Sequence, residues 1–209
     1  NDLEALINWM GAGNKDLLIT GDDVASDLGI NAGAFATTFL NDVMGLNLGT
    51  NNVRSFIGNQ ATPLVVAVPG NSVITSVSSW IAYGGCFGIN TFDGVTVRSG
   101  AERLAEFADP SGNPGAYAYS AATLNPYNVT NSVVSLPYDL GYLYSDPNAK
   151  VAAPLSARAL VVRDVLGYFG IDEKPIDVSD VTPSRTFAAS NYPNPFNPST
   201  KISYTVKAA

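Results

Sequence analysis

The single cysteine of the chain, Cys86, lies in a segment that could carry nucleophilic chemistry. Gly85-Cys86-Phe87-Gly88 matches superficially the Gly-x-Cys-x-Gly turn in which a strand-to-helix junction exposes a reactive thiol. A thiol attacks as the thiolate, and the base that usually removes its proton is a histidine. The chain contains no histidine, and the residues after Cys86 predict a turn and a strand instead of a helix. We therefore expect Cys86 to be a small buried residue, and we predict no catalytic residues.

Aspartates form the second group of residues that could do chemistry. Asp22 and Asp23 stand at a predicted helix start, and Asp109 opens the turn Asp109-Pro-Ser-Gly-Asn113. Carboxylates bind calcium, but the spacing of these aspartates lacks the alternation of ligands found in a calcium-binding loop. Hydrogen bonds from backbone amides are a sufficient reason for an aspartate at a helix start. We predict no metal site and no cofactor, with calcium at Asp22, Asp23 or Asp109 as the alternative left open.

Tyrosines are dense in the second half of the chain, and their rings could stack on sugars. The alternation in Tyr117-Ala-Tyr119 favours one face of a strand that meets a core or a neighbour, so we prefer an interface to a sugar site. The tyrosines concerned are Tyr117, Tyr119, Tyr127, Tyr138, Tyr142 and Tyr144.

The composition excludes several classes of protein. Hydrophobic residues make up 46% of the chain and charged residues 14%, which is typical of a folded domain. The net charge of −7 argues against a nucleic-acid partner, because phosphates require a basic surface. No apolar run approaches the roughly 20 residues of a membrane span, so we predict no membrane-spanning segment.

The elements that would position these residues begin with a strand and a helix. Residues 15–20 read as a buried parallel strand, and Gly21-Asp22-Asp23 leads into a helix with Val24 and Leu28 inward. A strand, a tight turn and a helix are the unit of an α/β fold. We expect an open, mostly parallel sheet flanked by helices, with an antiparallel extension. The other predicted elements are helices at 3–10, 35–44 and 155–169, strands at 63–68, 71–77 and 132–136, and a hairpin that joins 103–108 to 116–119.

The last segment carries the most specific motif. Phe187-Ala-Ala-Ser-Asn-Tyr-Pro-Asn-Pro-Phe-Asn-Pro-Ser-Thr200, followed by the alternating strand Lys201-Ile-Ser-Tyr-Thr-Val206, resembles the start of the C-terminal sorting domain of type IX secretion substrates. That resemblance implies an Ig-like β-sandwich, recognition by the secretion machinery, and an extracellular or outer-cell-surface location.

The body of the chain resembles, less specifically, a flavodoxin-like domain of the class I glutamine-amidotransferase type. The residues that carry this resemblance are Asp16-Leu-Leu-Ile-Thr-Gly-Asp22, Phe39-Leu-Asn-Asp-Val-Met-Gly45, Gly85-Cys-Phe-Gly-Ile-Asn90 and Ala157-Arg-Ala-Leu-Val-Val-Arg163. The predicted organisation is an α/β domain at 1–171, a linker at 172–186 and the first strand or strands of the Ig-like sorting domain at 187–209.

The function predicted from these features is a non-catalytic, secreted or cell-surface structural module. A strand with one apolar face and an unpaired edge can add to the sheet of another subunit, which would build an extracellular filament or a surface layer. The predicted assembly residues are Phe196, Lys201, Ile202, Tyr204 and Val206. The alternatives are an accessory C-terminal fragment of a larger secreted peptidase-like protein and an adhesion or carbohydrate-binding module.

Overall fold

The computed structural model describes residues 2–30, 33–83, 92–146, 155–171, 187–192 and 201–206. The chain divides into two compact units, Asn1–Asp172 and Glu173–Ala209. Cys86, which we expect to be a small buried residue, and the predicted assembly residue Phe196 lie outside the described residues.

The helices of the first unit are short and apolar on their inner faces. They are α1 (Asp2–Gly11), α2 (Val24–Ile30), α3 (Ala34–Thr38), which continues into a π-helical turn (Phe39–Val43), and α4 (Ala157–Tyr168). Ser156 caps the amino end of α4, because its side chain accepts a hydrogen bond from the backbone N of Ala159. None of the helices in the described residues has the length and the apolar sequence that crossing a membrane requires.

The first unit is built around one curled, mixed sheet of nine strands. The strands are β1 (Leu17–Thr20), β2 (Leu46–Thr50), β3 (Leu64–Ala67), β4 (Ser79–Ala82), β5 (Gly94–Val97), β6 (Glu102–Phe107), β7 (Ser120–Asn128), β8 (Asn131–Leu136) and β9 (Leu143–Ser145). Their order is β1-β8-β7-β6-β3-β4-β9, while β5 pairs with β7 at Val95–Ser120 and with β2 on its other side.

Apolar residues on opposite faces of β8 belong to two different cores. Val133 packs with Met10, Leu28 and Leu40 of the helices α1 to α3 and the π-helical turn. Val134 instead packs in the larger core that contains Trp80 and the buried face of α4. Since successive side chains of a strand point to opposite faces, β8 separates the two layers.

The predicted fold class is wrong. Of the strand pairs in the nine-stranded sheet, β1–β8 is parallel, and the other described pairs are antiparallel. The connections between successive strands from β3 to β8 contain no described helix, and parallel neighbours need a crossover of a dozen or more residues, usually a helix. The parallel strand predicted at 15–20 is confirmed as β1, but its partner β8 lies more than 100 residues further along the chain.

The strand predicted at 71–77 is also wrong, because the side chain of Asn71 binds this backbone locally. Its Oδ1 accepts hydrogen bonds from the backbone N of Val73 and of Ile74, and its Nδ2 donates to the carbonyl oxygens of Val68 and Ile74. Such bonds offer the backbone an alternative to a strand ladder.

The second unit contains two described strands, β10 (Phe187–Tyr192) and β11 (Lys201–Val206). They form a two-stranded antiparallel sheet in which Phe187 lies opposite Val206 and Tyr192 opposite Lys201.

Candidate functional site beneath helix α2

The carboxyl ends of the parallel strands β1 and β8 meet at one edge of the sheet, where the chain turns into α2. Thr20 of β1 lies opposite Leu136 of β8, and Gly21 follows β1 directly. A Cβ atom at Gly21 would lie 2.6 Å from Val24 Cγ2, so only glycine lets the chain turn this tightly into the helix.

Asp93, which immediately precedes β5, binds the first turn of α2. Its Oδ2 accepts hydrogen bonds from the backbone N of Ala25 at 2.8 Å and of Ser26 at 3.0 Å. Its own backbone N donates to the carbonyl oxygen of Asp22 at 3.1 Å. Asp93 therefore caps a helix from which it is separated by 67 residues in sequence.

The carboxyl group of Asp93 is buried with one oxygen unsatisfied. The residue has no exposed surface, and Oδ1 has no hydrogen-bond partner in the described residues. Burial raises the pKa of Asp93 from 3.8 to about 6, against the opposing effect of the bonds from Ser26 and Ala25. Burial also raises the pKa of Asp23, and the negative charges of Asp22 and Asp27 add to that effect.

A small cavity of about 10 Å³, room for about one water molecule, lies beneath the first turn of α2. Its surface is apolar, and its lining residues are Ile19, Gly21, Val24, Ala25, Met44, Leu46, Val95, Ser135, Leu136 and Pro137. Ser135 lies directly opposite Thr123 on β7, and both hydroxyl oxygens are buried without a hydrogen-bond partner in the described part of the chain.

The predicted aspartates do not come together as metal ligands. Asp22 and Asp23 lie in the loop before α2, whereas Asp109 lies in the turn between β6 and β7. The described residues contain no group of three or more Cys, Asp or Glu side chains that could hold a metal ion. At Asp109, Oδ1 accepts bonds from the backbone N of Ser111 and of Asn113, and the bonds from Asn113 are the main cause that lowers the pKa of Asp109.

The tyrosines considered as an interface or, alternatively, as a sugar site are distributed over separate parts of the first unit. Tyr138 is fully buried and accepts a hydrogen bond from Trp80 Nε1 at 2.9 Å, while Tyr144 on β9 is exposed. Tyr119 contacts Phe56 edge to face, and Tyr142 stacks on Phe92. These rings therefore do not form one continuous surface for stacking on a sugar.

Of the predicted assembly residues, Lys201, Ile202, Tyr204 and Val206 lie in β11. Their backbone pairs with β10, and within the described residues each of these two strands pairs with the other alone.

Sequence reasoning missed Asp93. Its signal in the sequence is a carboxylate directly before the apolar strand Gly94–Val97, with no basic residue until Arg98. That pattern does not identify α2 as the partner, because the contact depends on the long-range fold.

No protein-family model matches the chain, and neither a curated protein nor a solved structure matches it significantly.

Proposed function

We propose that the chain is a non-catalytic, secreted or cell-surface structural module that assembles with other copies through the hairpin of β10 and β11. The observation that carries the proposal is the two-stranded sheet in a unit of its own. A hairpin of two strands is marginally stable in water, and three or more strands with a buried face are needed for independent stability. A strand from another copy would supply what the hairpin lacks.

The backbone of the hairpin determines how such a partner would bind. Each strand has one edge that faces its partner and one outer edge, where N–H and C=O groups have no partner among the described strands. An added strand satisfies these groups in a regular ladder. The sequence of β11 suits a half-buried strand, because Ile202, Tyr204 and Val206 alternate with polar residues.

The extracellular location rests on the resemblance of residues 187–206 to the start of a type IX sorting domain. The secretion machinery is accordingly a second proposed partner, and assembly would follow export. A head-to-tail contact of this kind does not close on itself, so it would produce a filament or a surface layer.

The test compares the full chain with a chain that ends at Thr186, using light scattering after gel filtration and electron microscopy. We expect concentration-dependent assemblies from the full chain and a monomer from the truncated one. The thermal unfolding of the truncated protein serves as the folding control, since the first unit has its own cores. Assemblies of unchanged size after truncation would contradict the proposal.

Substitutions in β11 sharpen the test, because amides of successive strand residues point to opposite edges. Ser203→Pro and Tyr204→Pro each remove one backbone donor, and one of the two removed donors faces outward. We expect that variant to lose assembly, while the matched controls Ser203→Thr and Tyr204→Phe retain it. Assembly by both proline variants would reject pairing through β11.

A further inference from the structure

Strand β1 lies at one edge of the nine-stranded sheet but has the sequence of an interior strand. It ends the strand order, and within the described residues it pairs with β8 alone. Leu17 and Ile19 pack against the core formed with the helices α1 to α3, whereas Leu18 packs against the larger core. Strands that are apolar on both faces are typical of the interior of a sheet, where a neighbour lies on each side. All four residues of β1 are nevertheless partly exposed.

The two other edge strands in the described part of the sheet, β2 and β9, have features that discourage pairing. β9 contains only three residues, and the register of β2 with β5 shifts between Leu48 and Thr50. Short strands and bulges are among the features that prevent an edge from accepting a further strand. The register of β1 with β8 is regular, and β1 contains neither a proline nor a charged residue. Of these three edges, β1 is therefore the best suited to accept a strand.

The charges that flank β1 and β11 are complementary. Asp16 directly precedes β1 and Asp22 follows it, whereas Lys201 is the first residue of β11 and Lys207 follows its last residue. The spacing from Asp16 to Asp22 equals the spacing from Lys201 to Lys207. Opposite charges that face each other on neighbouring strands are stabilising. Alignment of these charges therefore selects one register for β11 beside β1, whichever direction β11 runs.

Two further charges lie near the ends of β1. The ammonium group of Lys15 lies 5.7 Å from the centre of the Trp9 ring and donates a hydrogen bond to the carbonyl oxygen of Asn14. Asp23 is exposed and adds a second carboxylate beside Asp22. The carboxyl end of β1 thus offers the stronger negative charge to a lysine of an added strand.

The register selected by the charges also brings apolar residues together. Tyr204 lies opposite Ile19 whether β11 runs parallel or antiparallel to β1, and Leu17 lies opposite Ile202 in the first case and Val206 in the second. Opposite residues of neighbouring strands point to the same face of a sheet. The apolar face of β11 would therefore extend the face of β1 that packs against the helices. A shift of one residue would turn it to the other face.

We propose that β11 of one copy pairs with the outer edge of β1 of the next copy, in the register that places Tyr204 opposite Ile19. The proposal rests on the assembly proposed above and names the surface that accepts the hairpin. The two contacting surfaces belong to different parts of the chain, so a copy whose β11 is bound still has its own β1 available. Such a contact repeats head to tail.

Disulfide cross-linking of the full chain tests the register, with Cys86→Ser in every variant to remove the single native thiol. Ile19→Cys combined with Tyr204→Cys should give a ladder of covalent dimers and larger species on a non-reducing gel. The matched control, Ile19→Cys with Ser203→Cys, should give no ladder, because neighbouring side chains of a strand point to opposite faces. Equal ladders, no ladder from either pair, or cross-links confined to single chains would overturn the proposal.

Exchange of charges tests the same contact without altering its apolar residues. Asp22→Lys should raise the concentration at which half of the chains assemble by about 2- to 10-fold, because an attraction becomes a repulsion. Adding Lys201→Asp should restore assembly if the strands are antiparallel, and adding Lys207→Asp should restore it if they are parallel. Asp27→Lys, the same change at an exposed position of α2, is the matched control. Restoration by neither second substitution, or an equal loss with Asp27→Lys, would contradict the proposal.

Failure of this contact can be distinguished from failure of the proposed assembly. If the chain that ends at Thr186 is monomeric while the β1 variants assemble like the wild type, the hairpin mediates assembly but β1 does not accept it. If the full chain itself stays monomeric, NMR spectra of the isotope-labelled chain that ends at Thr186 are recorded with the unlabelled full chain. Shift changes at the amides of Leu17–Thr20 then support the contact and reject only the filament, whereas unchanged spectra reject both.

Discussion

At the scale of single residues, some buried polar atoms of the first unit have a hydrogen-bond partner, and others have none among the described residues. Trp80 and Tyr138 have no exposed surface, and the indole N–H donates to the tyrosine hydroxyl at 2.9 Å. Burial raises the pKa of Tyr138, so this hydroxyl remains neutral and keeps its role as an acceptor. Asp93 has an equally buried oxygen without a hydrogen-bond partner in the described residues. The first arrangement stabilises the core, whereas at the second burial raises the pKa of the Asp93 carboxyl group.

Tyr138→Phe should lower the free energy of unfolding by about 1–3 kcal/mol, because it leaves the buried N–H of Trp80 without an acceptor. Urea denaturation measures the change. Tyr142→Phe is the matched control, since Tyr142 is only partly buried and its ring also stacks on Phe92. Equal effects of the two substitutions would show that the hydrogen bond to Trp80 is not what stabilises the core.

At the scale of elements, α4 holds the irregular segment that follows β3. Asp164 on α4 accepts bonds from the backbone N of Thr75 at 2.7 Å and of Ser76 at 2.6 Å, and from Ser76 Oγ at 2.6 Å. Its side chain is 6% exposed, so these bonds are protected from water. A single carboxylate thus fixes a segment without regular structure against a helix that is 88 residues away in sequence.

Asp164→Ala should lower the free energy of unfolding by about 3 kcal/mol, since two backbone donors lose a charged acceptor. It should also accelerate hydrogen exchange at Thr75 and Ser76 more than at Val65 on β3. Arg163→Ala serves as the control, because Arg163 makes only a long contact of 3.9 Å with Asp164 and should matter by less than about 1 kcal/mol. Unchanged exchange at Thr75 and Ser76 would contradict this role of Asp164.

Local sequence patterns predicted some of the individual elements but missed β2, β4, β5, β7, β9 and β10, and they predicted the arrangement poorly. The strands at 17–20, 64–67, 102–107 and 131–136 and the helix at 157–168 follow from apolar periodicity and turn residues. The second strand of the hairpin, predicted at 116–119, is wrong: β6 pairs with β7, which begins at Ser120. Strand pairing does not follow from such patterns. The apolar run at 17–20 suits a strand buried on both faces, but nothing near it indicates that its partner is β8.

The candidate site was missed for the same reason. Asp22 and Asp23 stand out as residues at a helix start, yet the residue that binds that helix start is Asp93. Its importance depends on burial and on an unpaired oxygen, and both are properties of the folded chain.

At the scale of the whole first unit, contacts distant in sequence connect its beginning with its later hairpin. Asn131, at the start of β8, donates to the carbonyl oxygen of Met10 and accepts from the backbone N of Lys15. The residue is 1% exposed and also accepts a bond from Thr130 Oγ1. Asn131 therefore connects α1 and the entry of β1 to the strand with which β1 pairs.

Asn131→Ala should lower the free energy of unfolding by about 2–3 kcal/mol and accelerate hydrogen exchange in α1 and β1, because buried backbone groups lose their partners. Asn128→Ala is the control: Asn128 is exposed and makes its bonds within the β7–β8 turn, so we expect a smaller loss. A larger effect of Asn128→Ala would contradict the long-range role of Asn131.

The parallel pairing of β1 with β8 has a mechanical consequence for the first unit when the chain is under tension. When tension pulls β1 back towards its amino end and β8 forward towards its carboxyl end, the two strands slide past each other lengthwise. The four paired positions from Leu17–Val133 to Thr20–Leu136 then resist together, whereas a hairpin pulled at its open end separates one pair at a time. This pair of strands would then determine the force at which the first unit unfolds.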